Sequence, residues 1–185
     1  MSNVDYPIYQ QATEGPYPGV IVYLKYDYSS SSGTLSGSYD YTESGTFPVP
    51  AGGISAFTDL IRQDQTLPNG TPFPPGSIPV ITDPSYVVFA IDGPACFRKN
   101  LDAITTDDAV QSEYYNLTYV LDDGTTFPGN NLQGITYTDQ SPCHIMYFSA
   151  ISPSTKGKQG QTDGFNLYMN IGKIDPYIKN TGHGR

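Results

Sequence analysis

The chain has 185 residues, enough for one domain with a substantial core. It carries sixteen Tyr and eight Phe but no Trp, is poor in charged residues and rich in Gly and Pro, which argues against a helical bundle and for short strands joined by turns. The formal net charge of −9 is unevenly spread: residues 1–155 hold four basic and sixteen acidic side chains, residues 156–185 an excess of +3, and so acidic a body disfavours nucleic acid as a partner.

In chain order, residues 1–18 are polar and punctuated by Gly15-Pro16 and Pro18-Gly19, the mark of an N-terminal arm or edge segment on a single domain spanning 1–185. From Val20 the chain alternates, with Val20, Val22, Leu24, Tyr26 and Tyr28 on one side and Ile21, Tyr23, Lys25 and Asp27 on the other. This is the two-residue period of a strand. A loop over Ser29–Gly33 precedes a second alternation through Leu35, Tyr39 and Tyr41, so the pair reads as a β-hairpin. Thr46–Pro50 is a short extended piece. Ile54, Phe57, Leu60 and Ile61 then recur at helical spacing over about three turns, with Ser55 as the expected cap. Prolines 68, 72, 74, 75 and 79 make the next stretch an irregular connection.

Tyr86–Ile91 is a continuous apolar run closed by Asp92-Gly93-Pro94, which suits a strand covered on both faces or a central strand. Thr105–Glu113, acidic at Asp107 and Asp108, is expected to hold a helical turn. Tyr115, Leu117, Tyr119 and Leu121 alternate into a strand that turns at Asp122-Asp123-Gly124. Leu132–Thr138 is a weaker strand. Cys143–Ile151 is a second apolar run, with His144, Met146, Phe148 and Ala150 expected on one face, and Ser152–Gly164 is a loop. The last strand sets Phe165, Leu167, Met169 and Ile171 against Asn166, Tyr168 and Asn170. Seven or eight strands with one or two short helices point to an all-β fold, an antiparallel β-sandwich, with a closed barrel as the alternative.

The close of the chain, Phe165-Asn-Leu-Tyr-Met-Asn followed by Ile174-Asp-Pro-Tyr-Ile-Lys-Asn, resembles that of the bacterial inclusion-body proteins, where a final strand leads into an Asp-Pro-x-Ile ending. The resemblance implies a β-sandwich and a non-enzymatic bacterial protein that accumulates. The family's N-terminal strand is not recognisable here.

Motifs that carry chemistry are sparse. His144 and His183 are the two histidines and Cys96 and Cys143 the two cysteines, without metal-ligand spacing, so no zinc set and no metal residue is assigned. The expectation is no cofactor, with calcium the one ion left open by Asp107-Asp108 and Asp122-Asp123, although the full calcium-loop pattern is absent. No Gly-x-Ser-x-Gly elbow occurs. Cys96 stands near Arg98 and Lys99, yet a small buried thiol explains it more simply than a nucleophile. A hydrolytic carboxylate pair ranks last, because Glu14, Glu43 and Glu113 are the three glutamates and none falls in a strand core. No catalytic residue is assigned, and the chain reads as a non-enzyme.

Tyrosine stands above background. Rings beside Asn, Ser and Asp suit recognition surfaces, and the candidate binding residues are Tyr23, Tyr39, Tyr41, Asp122, Asp123, Asn130 and Asn131. The same rings could instead fill a core that lacks Trp. Two functions follow. One is a structural, self-associating homo-oligomer whose subunits meet through Tyr-rich strand faces and through an acidic body and basic C-terminal end. The other is a carbohydrate-binding, lectin-like module. The Met1-Ser-Asn-Val-Asp start carries no secretion signal and no run spans a membrane, so the expected location is the cytoplasm, with non-classical release and a Cys96–Cys143 disulfide left open.

Overall fold

A computed structural model describes residues 5–8, 18–28, 43–99, 101–107, 113–129, 141–150 and 161–181. In chain order these form β1 (Tyr6–Pro7), β2 (Val20–Asp27), β3 (Gly45–Pro48), α1 (Gly53–Arg62), β4 (Thr71–Pro72), β5 (Val80–Ile81), β6 (Ser85–Asp92), β7 (Ile104–Thr106), β8 (Tyr114–Leu121), β9 (Thr126–Pro128), β10 (Cys143–Ala150), β11 (Gln161–Met169), β12 (Gly172–Ile174) and β13 (Tyr177–Asn180). The larger sheet runs β4-β3-β2-β6-β10-β8-β9; the smaller runs β1-β7-β11-β13-β5, with β12 paired to β11. The fold is all-β and sandwich-like, as the strand periods require.

The run Tyr86–Ile91 shows why the larger sheet lies in the middle. Val87, Phe89 and Ile91 point into the core between the two sheets, beside Phe148 and Phe165. Val88 and Ala90 point the other way, into a second cluster where Phe57 and Ile54 of α1 cap Ile21, Tyr23 and Phe47. A strand covered on both faces cannot alternate in polarity, hence the unbroken apolar run. The inter-sheet core is aromatic: Phe148 stacks on Phe165 at 5.6 Å, and Tyr114 meets both rings edge-on at 5.4 and 5.1 Å. Each such fully buried ring contributes about 1.5–3 kcal/mol.

Several expectations are corrected. There are thirteen strands among the described residues, several only two or three residues long, where seven or eight were expected. The sheets are mixed: β2 lies parallel to β6 and β13 parallel to β5. The antiparallel neighbour of β2 is Gly45–Pro48, the expected extended piece; the hairpin arm through Leu35, Tyr39 and Tyr41 lies outside the described residues, as do Leu132–Thr138 and residues 152–160 of the expected loop. Residues 161–164 of that loop pair with β13. Ile104–Thr106, which includes the start of the stretch expected to hold a helical turn, is a strand bridging β1 and β11, and residues 108–112 of that stretch lie outside the described residues. Ile171 is exposed in the β11–β12 turn instead of facing the core. Ser55 does not cap α1: the chain enters the helix through a turn closed by the Gly53 N–H on the Pro50 carbonyl, with Gly53 at φ +75°.

Two bulges reset the faces. Between Thr118 and Tyr115, β8 advances three residues while β10 advances two, and Asn116 takes φ +55°. Tyr114, not Tyr115, therefore joins Leu117, Tyr119 and Leu121 in the core. A second shift between Cys143 and Ile145 turns Cys143 inward with Met146 and sets His144 on the opposite side from the one expected.

At the edge of the smaller sheet, Tyr6–Pro7 pairs with β7 and Asp5 accepts hydrogen bonds from Tyr168 and Asn166, so this part of residues 1–18 is an edge segment.

Candidate functional site

A cleft of about 430 Å³ opens where the parallel strands β2 and β6 end together, between the last turn of α1 and the start of β10. Strand ends of a parallel pair leave such a crevice because the chains depart in different directions. Each element delivers a polar side chain here just as its apolar pattern stops: Lys25 from β2, Asp92 from β6, Arg62 and Asp64 from the end of α1, His144 from β10 and Asp122 from the β8–β9 turn.

The cations are held by carboxylates. Lys25 Nζ lies 3.0 Å from Asp92 and 3.9 Å from Glu43. Its hydrogen bond holds the Asp92 carboxyl below the usual carboxylate range. Burial works against the Lys25 charge, but Asp92, Glu43 and Asp27 outweigh it and the ammonium is held above its ordinary value. Arg62 Nη1 donates to Asp59 at 2.7 Å, and its guanidinium rests on the β8–β9 turn at Gly124. That turn needs glycine twice over: φ is +90°, and an added Cβ would lie 3.1 Å from the guanidinium.

His144 Nδ1 lies 2.9 Å from both Asp122 oxygens. A neutral ring donating Nδ1–H to Asp122 presents the Nε2 lone pair, which has no protein partner among the described residues, as an acceptor.

α1 ends in a Schellman motif: the Gln65 N–H donates to the Leu60 carbonyl at 3.0 Å and the Asp64 N–H to the Ile61 carbonyl at 3.2 Å. Asp64 occupies the left-handed position of that motif, φ +54°, where glycine is the usual residue. Its exposed carboxylate has no side-chain partner among the described residues.

Beneath these charges lies Tyr23, only 1% exposed, with its ring edge-on to Phe47 and Phe57 at 6.0 and 5.6 Å. Its hydroxyl has no hydrogen-bond partner among the described residues. Burial, then the charges of Glu43, Asp92 and Asp27, push its pKa well up, so the group is a neutral hydroxyl. A neighbouring, more apolar cleft of about 550 Å³ lies beyond Asp64, lined by Phe47, Leu67 and Phe73.

The cleft unites two of the sequence-chosen residues, Tyr23 and Asp122, though Tyr23 is a core ring rather than a surface platform. Asp123 is exposed in the adjacent turn, accepting the Thr125 N–H at 2.8 Å. Tyr39, Tyr41, Asn130 and Asn131 lie outside the described residues. Of the tyrosines expected at a contact surface, Tyr23, Tyr26, Tyr114 and Tyr119 turn into the two cores, and Tyr115, on the other face of β8, is buried as well. Lys25, Arg62, Asp64, Asp92 and His144 were not among the sequence candidates for binding; the available signal was a charged residue at the end of each apolar run.

The calcium candidates do not converge among the described residues: Asp122 faces His144, Asp107 accepts from Asn166 Nδ2 at 2.7 Å, and Asp108 lies outside the described set. No three His, Cys, Asp or Glu side chains come together to hold a metal among those residues. Cys96 and Cys143 are buried and not joined in a disulfide, and burial pushes the Cys143 thiol up, away from reactivity. Arg98 stacks over the Tyr168 ring at 3.7 Å and donates to the Asp102 carbonyl. Glu113, one residue before β8, is buried but lies in no strand. No described helix is long and apolar enough to cross a membrane. A scan against protein-family models and searches of curated proteins and solved structures return no match to the chain.

Proposed function

We propose that the protein is a non-enzymatic binding module that takes a small polyhydroxylated ligand, of the carbohydrate class, in the cleft at the ends of β2 and β6. The observation that carries this reading is the convergence of Tyr23, Lys25, Arg62, Asp92, Asp122 and His144, from separate elements, on one cleft. His144 Nε2, Lys25 and the carboxylates add donors and acceptors around an apolar floor of Ala90 and Ile145. The volume suits a single sugar ring or two. The cleft contains no described Ser or Cys beside His144, which favours binding over acyl transfer. Isothermal titration with neutral monosaccharides tests it: saturable heat that is lost in Tyr23→Phe supports the reading, and absence of binding by any sugar, neutral or charged, removes it.

Self-association is the second reading, favoured by one observation. Ile78, Val80 and Tyr177 are each 45–48% exposed at the β5 edge of the smaller sheet, next to Lys179. An apolar patch with a cation at its side fits the acidic body of another copy. Sedimentation at rising concentration and salt tests it: a salt-sensitive oligomer dispersed by Tyr177→Ser supports this contact, and a monomer throughout removes it.

A further inference from the structure

We propose that Asn69-Gly70 is a site of spontaneous covalent modification, at which the Asn69 carboxamide leaves as ammonia and aspartate and isoaspartate replace it, with water as the co-reactant. Asn69 is the one asparagine in the chain followed by glycine. Glycine has no Cβ to keep its backbone nitrogen away from the preceding side chain. Residues 65–70 lie in neither helix nor strand, and Asn69 is exposed. Water therefore reaches the carboxamide, and no ladder holds the backbone extended.

Packing fixes that glycine. A Cβ at residue 70 would lie 2.4 Å from two Phe47 ring carbons and 2.8 Å from the Thr46 carbonyl oxygen. The Phe47 ring is held in turn by Tyr23 and Phe57, so it has little room to give way. The helix-side core thus places the least hindered kind of amide beside an exposed carboxamide. The three Asp-Gly pairs differ. Asp92 is ionised against Lys25 at 3.0 Å and accepts the Gly93 N–H at 2.9 Å. Asp123 accepts the Thr125 N–H, and buried Asp163 accepts from Tyr114. A carboxylate resists attack by nitrogen, whereas a neutral carboxamide is open to it.

The step balances without an oxidant or reductant. The Gly70 nitrogen gives up its proton and attacks Asn69 Cγ. The N–Cγ bond forms, the Cγ–Nδ2 bond breaks, and ammonia departs with a proton, leaving a cyclic imide. Water then opens either imide carbonyl. Cleavage at Cγ restores the main chain with aspartate; cleavage at the backbone carbonyl routes it through the side chain as isoaspartate. Both products add a negative charge. Isoaspartate also adds a methylene to the main chain just before β4, the sheet edge held to β3 at Thr46↔Thr71 and Gly45↔Pro72. Gly70 lines the second cleft with Glu43 and Asp64, so the change alters that rim.

The test is peptide mapping by mass of the full chain, kept folded at neutral and at alkaline pH, in heavy-oxygen water and in ordinary water. In ordinary water the peptide bearing Asn69 should gain about 1 Da and split into two species, while the peptide bearing Asn116, followed by Leu117, stays unchanged. In heavy-oxygen water the product should take up one labelled oxygen. The rate should rise about tenfold per pH unit, because the attacking amide must lose its proton. Asn69→Gln, whose longer side chain disfavours ring closure, should stop the conversion. Amide exchange at Thr46 and Thr71 should quicken at least about threefold in the isoaspartate fraction, and unchanged exchange would remove the effect on β4. Conversion confined to chain unfolded in denaturant, or equal conversion at Asn116, would overturn the proposal.

Discussion

Tyr114 and Tyr23 are both almost fully buried in this fold, yet their hydroxyls are treated differently. Tyr114, in the core between the sheets, donates to the carboxylate of Asp163. Tyr119, in the same core, accepts the Ala103 N–H at 3.3 Å. Tyr23, on the opposite side of the larger sheet under α1, has no partner among the described residues. The contrast is between two inter-sheet hydroxyls that meet protein groups and a tyrosine on the helix side that borders an open cleft.

Substitutions can sharpen or erase that contrast. The largest effect is expected in the inter-sheet core, where Phe148→Ala should destabilise by about 3–5 kcal/mol in denaturant unfolding. The ring contacts Phe89, Tyr114 and Phe165, and a cavity there has no flexible neighbour to fill it. Next in size, Tyr114→Phe should cost about 1–3 kcal/mol, because buried Asp163 loses a donor. Tyr23→Phe should change stability by less than about 0.5 kcal/mol, since no protein hydrogen bond is lost, while weakening sugar binding about three- to tenfold. Similar losses of stability in the two Tyr variants would erase the distinction between the layers.

The pH dependence is smaller. The Asp92 carboxyl is depressed by Lys25, so its contribution to stability is present above about pH 4 and is lost as pH falls through its lowered folded value. The Lys25 ammonium is raised, so its contribution is present below about pH 10 and lost as pH climbs through its folded value. Asp92→Asn should flatten the acid limb of a stability–pH curve; an unchanged limb would place the titration elsewhere. The smallest expected change is Asp64→Gly, which should gain about 0.5–1 kcal/mol in thermal or denaturant unfolding by relieving the left-handed turn.

How far the sequence reveals this can be followed residue by residue. Val20–Asp27, Tyr86–Ile91 and Cys143–Ala150 announce themselves by period, and Ile54, Phe57 and Leu60 by helical spacing, because burial writes itself into hydrophobicity. Asn116 does not: a single residue in the left-handed conformation shifts Tyr114 inward and Tyr115 outward without altering the apparent alternation. The same holds at Cys143–His144, where a bulge reverses the expected face. The parallel pairing of β2 with β6 is equally hidden, since register between distant strands leaves no local mark. Ser55 looked like a cap on composition, yet the turn at Gly53 supplies the helix start. In the site, Asp122 was visible as a turn residue and Tyr23 as an aromatic. Lys25, Arg62, Asp64 and His144 come from separate elements, and only tertiary packing brings them to one cleft.

The most direct measurement is a titration with neutral monosaccharides followed by backbone amide chemical shifts. The expected result is a saturable set of perturbations confined to the cleft, at Lys25, Asp64, Gly93 and His144, with the inter-sheet core silent. Perturbations centred instead on Val80 and Tyr177 at the β5 edge, or none at saturating sugar, would contradict the assignment of the helix side as the binding layer.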